Sequence, residues 1–241
     1  MGFPHLLRKA KDQRRRTKDE GLFRPSSFVL RRKMLRLLRQ RPLQLITAIV
    51  MVLAAGAIGE VRMLQVDFGF RTSFNPQGSL FDPALGGGAL LDVGIYPVSL
   101  ASMIFGTPER VTGMAHLGET GVDEQSAMIF GYAGGQLALL SQAIRTNSPH
   151  EALLLGTVGK IRVHSSWWKA TTITLSVDGR PDELIDLPEV GNGYNYEAAE
   201  VGRCLRAGRT ESNVMPLDET LAIMRTLDEV RAQWGLRYPG E

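Results

Sequence analysis

Asp92 and Tyr96 stand four residues apart in the apolar run Leu85-Gly-Gly-Gly-Ala-Leu-Leu-Asp-Val-Gly-Ile-Tyr-Pro-Val98, a spacing that places both side chains on one face of a helix. A carboxylate and a phenol are costly to bury unless each finds a partner. A phenol serves as general acid or base once a nearby cation lowers its pKa from ~10. The residue types also allow a plainer arrangement, in which Asp92 caps a neighbouring turn and Tyr96 is a core residue with a satisfied hydroxyl. Gly86, Gly87 and Gly88 let another backbone or a ligand approach closely, and free N–H groups at such a helix start favour a negative partner. This is not the G-x-G-x-x-G fingerprint: Leu91 stands where its third glycine belongs, and no hydrophobic strand leads into it. Cys204 is the single cysteine, and no Cys/His spacing points to zinc or another metal. A reducing, cytoplasmic setting is expected.

The elements that must position this pair read as an α+β domain. Val61 to Phe70 is expected to form a first strand, and Leu85 to Phe105 a buried helix ending near Gly106-Thr107-Pro108. Four runs follow: Arg110 to Leu117, Gln125 to Tyr132, Gln136 to Ile144 and Glu151 to Leu155. Asp123-Glu124, Ala133-Gly134-Gly135 and Ser148-Pro149 punctuate them, the texture of an antiparallel meander. Lys160 to His164 and Thr171 to Val177 continue it, with a turn at Asp178-Gly179. Two helices close the chain, Tyr196 to Arg206 and Leu217 to Gln233, the second with Leu217, Leu221, Met224, Leu227 and Val230 on one stripe. No alternating βαβα pattern appears, so a complete doubly wound sheet is not encoded.

The 241 residues carry 28 basic and 25 acidic side chains, but the balance is uneven. Residues 1 to 41 hold 14 basic against 3 acidic groups, leaving 14 against 22 for the rest. The arm could meet anionic membrane or nucleic acid through phosphate contacts. It has no interleaved aromatic platform and no recognisable DNA-binding module, so specific nucleic-acid recognition is not expected. Pro42 to Gly59 is uncharged and sits at the lower length limit for a membrane span. Gln44, Thr47, Gly56 and Gly59 dilute it, which favours a core helix.

Gly59-Glu60-Val61, Asp67-Phe68-Gly69-Phe70-Arg71 and above all Gly-Gly-Gly-Ala-Leu-Leu-Asp-Val-Gly-Ile-Tyr-Pro-Val resemble the C-terminal domain of the Gfo/Idh/MocA oxidoreductases. The likeness continues through residues 191 to 200 and Met215 to Glu219, from about Leu53 to Tyr238. Many members place histidine where this chain has Tyr96, and the tyrosine version is similar to the branch acting on trans-dihydrodiols and D-xylose. The resemblance implies a mixed, largely antiparallel sheet with helices on one face, the open face pairing two subunits as a homodimer. It implies Tyr96 as the acid/base acting on a substrate hydroxyl, Asp92 orienting it or holding a second hydroxyl, and NADP or NAD as cofactor. Trp168 and Tyr194, with Phe74 on the early loop, are expected to wall in a diol or sugar ring. Simple packing is the alternative for Trp167 and Trp168. Arg71 is a candidate for cofactor phosphate or for a structural ion pair.

Residues 1–50 hold neither G-x-G-x-x-G nor the family's Glu-Lys-Pro motif, whose lysine supports the catalytic residue. The expected organisation is a basic, non-family segment over 1–50, from a truncated or frame-shifted gene, and a substrate and dimerisation domain over 51–241. Three functions fit: a nicotinamide-dependent oxidoreductase represented by its C-terminal domain, a split enzyme whose nucleotide domain is a separate chain, and a non-catalytic sheet module that docks on a partner.

Overall fold

A computed structural model describes residues 56–186, 191 and 193–241, together with Ile49 and Leu53. The basic arm and most of the apolar run from Pro42 lie outside the described residues. Within that run Ile49 is helical and only 2% exposed, and it and Leu53 both join the hydrophobic core.

Among the described residues, eight strands form one sheet: β1 (Val61–Gly69), β2 (Arg110–Leu117), β3 (Asp123–Gly131), β4 (Leu137–Ala143), β5 (Ala152–Gly156), β6 (Gly159–Val163), β7 (Thr172–Val177) and β8 (Glu183–Asp186). Their spatial order is β2-β3-β4-β1-β5-β6-β7-β8. All neighbours are antiparallel except β1 and β4, whose parallel register pairs Leu64 with Ala138 and Val66 with Leu140. The expected meander is therefore two meanders, with β1 inserted between β4 and β5. Strand β8 continues the second one and carries too short an alternation to read from sequence.

Period-two patterning decides which face is buried. In β3, Ser126, Met128 and Phe130 point inward while Gln125, Ala127 and Ile129 face out; Ala138, Leu140 and Gln142 of β4 and Leu64 and Val66 of β1 extend the buried layer. Helices α1 (Ile95–Phe105) and α3 (Leu217–Gln233) cover this layer, and α2 (Tyr194–Arg206) precedes α3. The Ser102 hydroxyl donates to Glu219, fastening α1 to α3, and Gln233 Nε2 donates to the Val111 carbonyl at 2.9 Å, fastening α3 to β2.

Two expectations change here. The stripe of α3 facing the core is Ile223, Thr226, Leu227 and Val230, whereas Leu217, Leu221 and Met224 are exposed. The stripe expected from sequence spans about half a turn of drift, and only its C-terminal part meets the sheet layer. The helix expected from Leu85 also does not start there. Pro83–Leu85 is an isolated 3₁₀ turn ended by Gly86 at φ +74°, and a π-helical turn over Leu90–Gly94 leads into α1. Residues 83–105 are long and apolar enough to span a membrane, but 56% of the apolar window is buried against protein.

Candidate active site

The glycine run works through what it lets in. Gly88 adopts φ +116°, and a Cβ there would lie 2.4 Å from Asp123 Oδ1. That close approach brings the Asp123 carboxylate to the helix start, where Oδ2 accepts the Leu90 N–H at 2.8 Å. Ser126 Oγ donates to the same oxygen at 3.1 Å, and Gln142 Nε2 donates to Ser126 Oγ at 2.6 Å. Gln142 in turn packs under Gly94, where a Cβ would sit 3.1 Å from its Cδ. Tyr238 closes the outside by donating to the Gly87 carbonyl at 2.7 Å. The negative partner expected at this glycine-rich start is thus the protein's own side chain. Sequence reading placed Asp123-Glu124 in a turn; Asp123 instead opens β3 and is fully buried. Desolvation pushes its carboxyl up to about 7, against the hydrogen bonds from Leu90 and Ser126, and burial pushes the Tyr238 phenol up to about 12.

Downstream, Asp92 and Tyr96 share the exposed side of the helix while Leu90, Val93, Gly94, Pro97 and Val98 are buried. Asp92 lies inside the π-helical turn, a feature that recurs at functional sites. Its carboxylate caps no turn and makes no hydrogen bond among the described residues, and nearby protein mass desolvates it enough to hold its pKa above the usual carboxylate range. Tyr96 is 45% exposed. Among the described residues no partner takes its hydroxyl and no cation stacks on its ring. Among the described residues, the alternative of two internally satisfied residues does not hold.

Tyr96 rests edge-on against Phe68, with ring centroids 5.3 Å apart. Phe68 is stacked flat on Trp168 at 3.8 Å, and His150 packs edge-on against both, at 5.2 Å and 5.0 Å. Asp67 organises this wall from the end of β1. Its carboxylate accepts the Ser148 hydroxyl and, at 2.7 Å, the His150 N–H, while its carbonyl accepts Trp167 Nε1 at 2.8 Å. Trp167 is therefore a buried packing residue and Trp168 the half-exposed wall. Phe74 stands apart, edge-on to Phe81 at 5.1 Å with the Arg145 guanidinium 5.6 Å above it. Phe81 and Phe68 touch the same small apolar cluster with Ala89, Val93 and Ile144, so Phe74 borders the site without joining the wall. Tyr194 opens α2, is 71% exposed and meets none of these rings. Arg71 is exposed; its backbone N–H bonds Asn147 Oδ1, and its side chain forms no ion pair among the described residues. Sequence reasoning missed His150 and the organising role of Asp67. Only Pro149 before His150 hinted at a special backbone there.

A dinucleotide does not fit the described residues. The helix start that would receive its phosphates is filled by Asp123, and no other glycine-rich strand–turn–helix unit is present among them. Nor do they contain a cluster of His, Cys, Asp and Glu able to hold a metal.

Residues 46–162 match the GFO/IDH/MocA C-terminal domain. This chain carries a Gfo/Idh/MocA C-terminal domain. It is 36% identical over 198 residues to trans-1,2-dihydrobenzene-1,2-diol dehydrogenase of Xenopus tropicalis, an alignment covering 78% of this chain and 58% of that protein. The Homo sapiens protein of the same name is 33% identical over 195 residues, with the same coverage. The chain thus spans somewhat over half the length of the curated relatives it matches. Among solved structures, the 3-ketoreductase KijD10 from Actinomadura kijaniata, in complex with NADP and TDP-benzene, shares the fold with a TM-score of 0.67 at 20% identity, covering 83% of this chain and 60% of its own. Aldose-aldose oxidoreductase from Caulobacter crescentus, complexed with glycerol, gives 0.65 at 21% identity, covering 77% and 57%.

Proposed function

We propose that this Gfo/Idh/MocA domain is the substrate-holding part of an oxidoreductase acting on a CH–OH group of a dihydrodiol or sugar. The observation that carries the reading is an exposed tyrosine hydroxyl, without a partner among the described residues, at the rim of the wall made by Phe68 and Trp168. A flat or chair-shaped ring stacks on such a wall through its C–H surface, which leaves its hydroxyls facing Tyr96 and Asp92. Tyr96 exchanges the proton of the reacting hydroxyl, and Asp92 accepts a hydrogen bond from a neighbouring one. The nicotinamide, NADP or NAD, is supplied by a nucleotide-binding domain outside the described residues. The relatives' names support the diol class, and the single buried, unpaired Cys204 suits a cytoplasmic setting.

A second copy of this chain is the proposed partner of the open sheet face. Met114 is 83% exposed there, with Ile129 and Leu137 also reaching solvent, an apolar surface of the kind that association buries. The same surface favours, as a second reading, a non-catalytic module that works by pairing alone.

Two experiments separate these readings. NADPH titration of the purified chain, followed by nicotinamide fluorescence, is expected to show no micromolar binding. Dehydrogenase activity on a trans-dihydrodiol or D-xylose is expected only when a relative's nucleotide-binding domain is co-expressed. Tyr96→Phe should abolish that activity with the fold intact, and retained turnover disproves the assigned role. A chain that never gains activity but sediments as a dimer supports the module.

A further inference from the structure

His150 is the one non-glycine residue with positive φ among the described residues, at +60°. Side chains other than glycine adopt this backbone reluctantly, although histidine does so more readily than most, and such outliers gather at ligand clamps. Three bonds hold it there. Its N–H donates to Asp67 Oδ2, its carbonyl accepts the Trp167 N–H at 3.1 Å, and its Nε2 lies 2.5 Å from the Gly69 carbonyl oxygen. A carbonyl oxygen can only accept, so Nε2 carries the hydrogen. In the neutral ring Nδ1 is then a bare acceptor, and it has no hydrogen-bond partner among the described residues. The imidazole is half-exposed and braced edge-on against Phe68 and Trp168, while Tyr96 is braced edge-on against the same Phe68.

We propose that His150 is a substrate-recognition residue whose fixed Nδ1 accepts a hydrogen bond from a hydroxyl of the ring stacked on Phe68 and Trp168, other than the hydroxyl that reacts at Tyr96. The inference rests on the function proposed above and narrows it: the site prefers rings with at least two hydroxyls. The selecting acceptor is Nδ1 of an imidazole held rigidly by backbone. Asp67, through the His150 N–H and Ser148, is the positioning residue that keeps it so.

The test uses the chain as it stands, with tryptophan fluorescence reporting at Trp168. The probes are trans-1,2-cyclohexanediol and cyclohexanol, which differ by one hydroxyl. The wild type should bind the diol about 3- to 10-fold more tightly, the worth of one neutral hydrogen bond. His150→Phe keeps a flat ring and His150→Asn keeps a residue at ease with positive φ. Both should erase the preference, by weakening diol binding more than cyclohexanol binding. A preference that survives in both variants, or a loss in His150→Phe that is equal for the two probes, overturns the proposal. Imidazole ¹⁵N shifts in the wild type give an answer free of folding effects: Nδ1 should be unprotonated and should move on adding diol but not cyclohexanol. A protonated Nδ1 in the neutral ring also overturns it. A wild type that binds neither probe removes the function reading itself, an outcome distinct from lost discrimination between them.

Discussion

The helix that starts at Leu90 carries two polar arrangements that differ in what closes them. At its buried start, Asp123 Oδ2 accepts the Leu90 N–H and the Ser126 hydroxyl, Gln142 donates to Ser126, and Gly88 has no side chain so that the carboxylate can come near, while Asp123 Oδ1 and Gln142 Oε1 are buried without a partner among the described residues. On its exposed side, Asp92 and Tyr96 have no partner for their polar atoms among the described residues, and the wall of Phe68, Trp168 and His150 stands beside them. The first arrangement is sealed inside the protein and holds the helix; the second faces outward and is open to something outside the chain. Glycine-rich sequence before a helix therefore does not by itself mark an anion site, because a protein carboxylate can be the anion. Unmatched polar groups beside a rigid apolar wall are the better marker.

The most damaging way to break this contrast is Gly88→Ala. A methyl 2.4 Å from Asp123 Oδ1 at φ +116° combines overpacking with backbone strain, and a loss of roughly 4–5 kcal/mol is expected. Urea melts should show it, and binding at the wall should fall with the fold. Next comes the buried carboxyl. Its folded pKa of about 7 lies above the ordinary 3.8, so the folded state holds the proton more tightly. Its contribution is then fully present below about pH 4 and is lost as pH rises toward 7, by up to ~4 kcal/mol. Subtracting the pH–stability profile of Asp123→Asn from that of the wild type should isolate this slope, since the amide still offers an oxygen to the Leu90 N–H. A flat difference would show that Asp123 is ionised throughout.

Smaller effects belong to the open side. Phe68→Ala removes the stack on Trp168 and the rest for Tyr96, at a cost of about 2 kcal/mol for a half-buried ring. The larger change should be a red-shifted tryptophan emission and loss of diol binding. Met114→Lys lies on the outer sheet face and should leave thermal stability of the subunit within ~0.5 kcal/mol. It should nevertheless shift sedimentation from dimer to monomer if a second copy covers that face.

Much of this was legible because alternation is local. The bounds of β2 and α3 follow from pattern, and the shared face of Asp92 and Tyr96 follows from their spacing, whereas a role for the pair came only from the resemblance. What was not legible depends on distant partners. Asp123 looks like a turn residue because acidic groups are usually solvated, and its buried strand position relies on the Leu90 N–H, 33 residues away, together with the Ser126 hydroxyl. His150 has no recognisable pattern, since its conformation is imposed by Asp67 and Gly69. Phe74 and Tyr194 were placed in the wall by resemblance, yet Phe74 packs on Phe81 and Tyr194 stands free of the rings. The stripe of α3 failed for a related reason: which apolar residues are covered depends on where the sheet ends beneath them.

The insertion of β1 between β4 and β5 also bears on how fast the sheet can assemble. Strands β2 to β4 and β5 to β8 each pair with sequence neighbours and can close through short loops. Joining the two groups requires β1 to find β4 in parallel, Met63 opposite Leu137, across more than seventy residues of chain. Loop closure of that length must be met before Leu64 and Val66 gain their burial, so the seam along β1 is expected to be the slow, non-local step. Asp67, Phe68 and Gly69 lie at the end of that strand, so the wall that receives a ligand forms only after the two halves of the sheet have met.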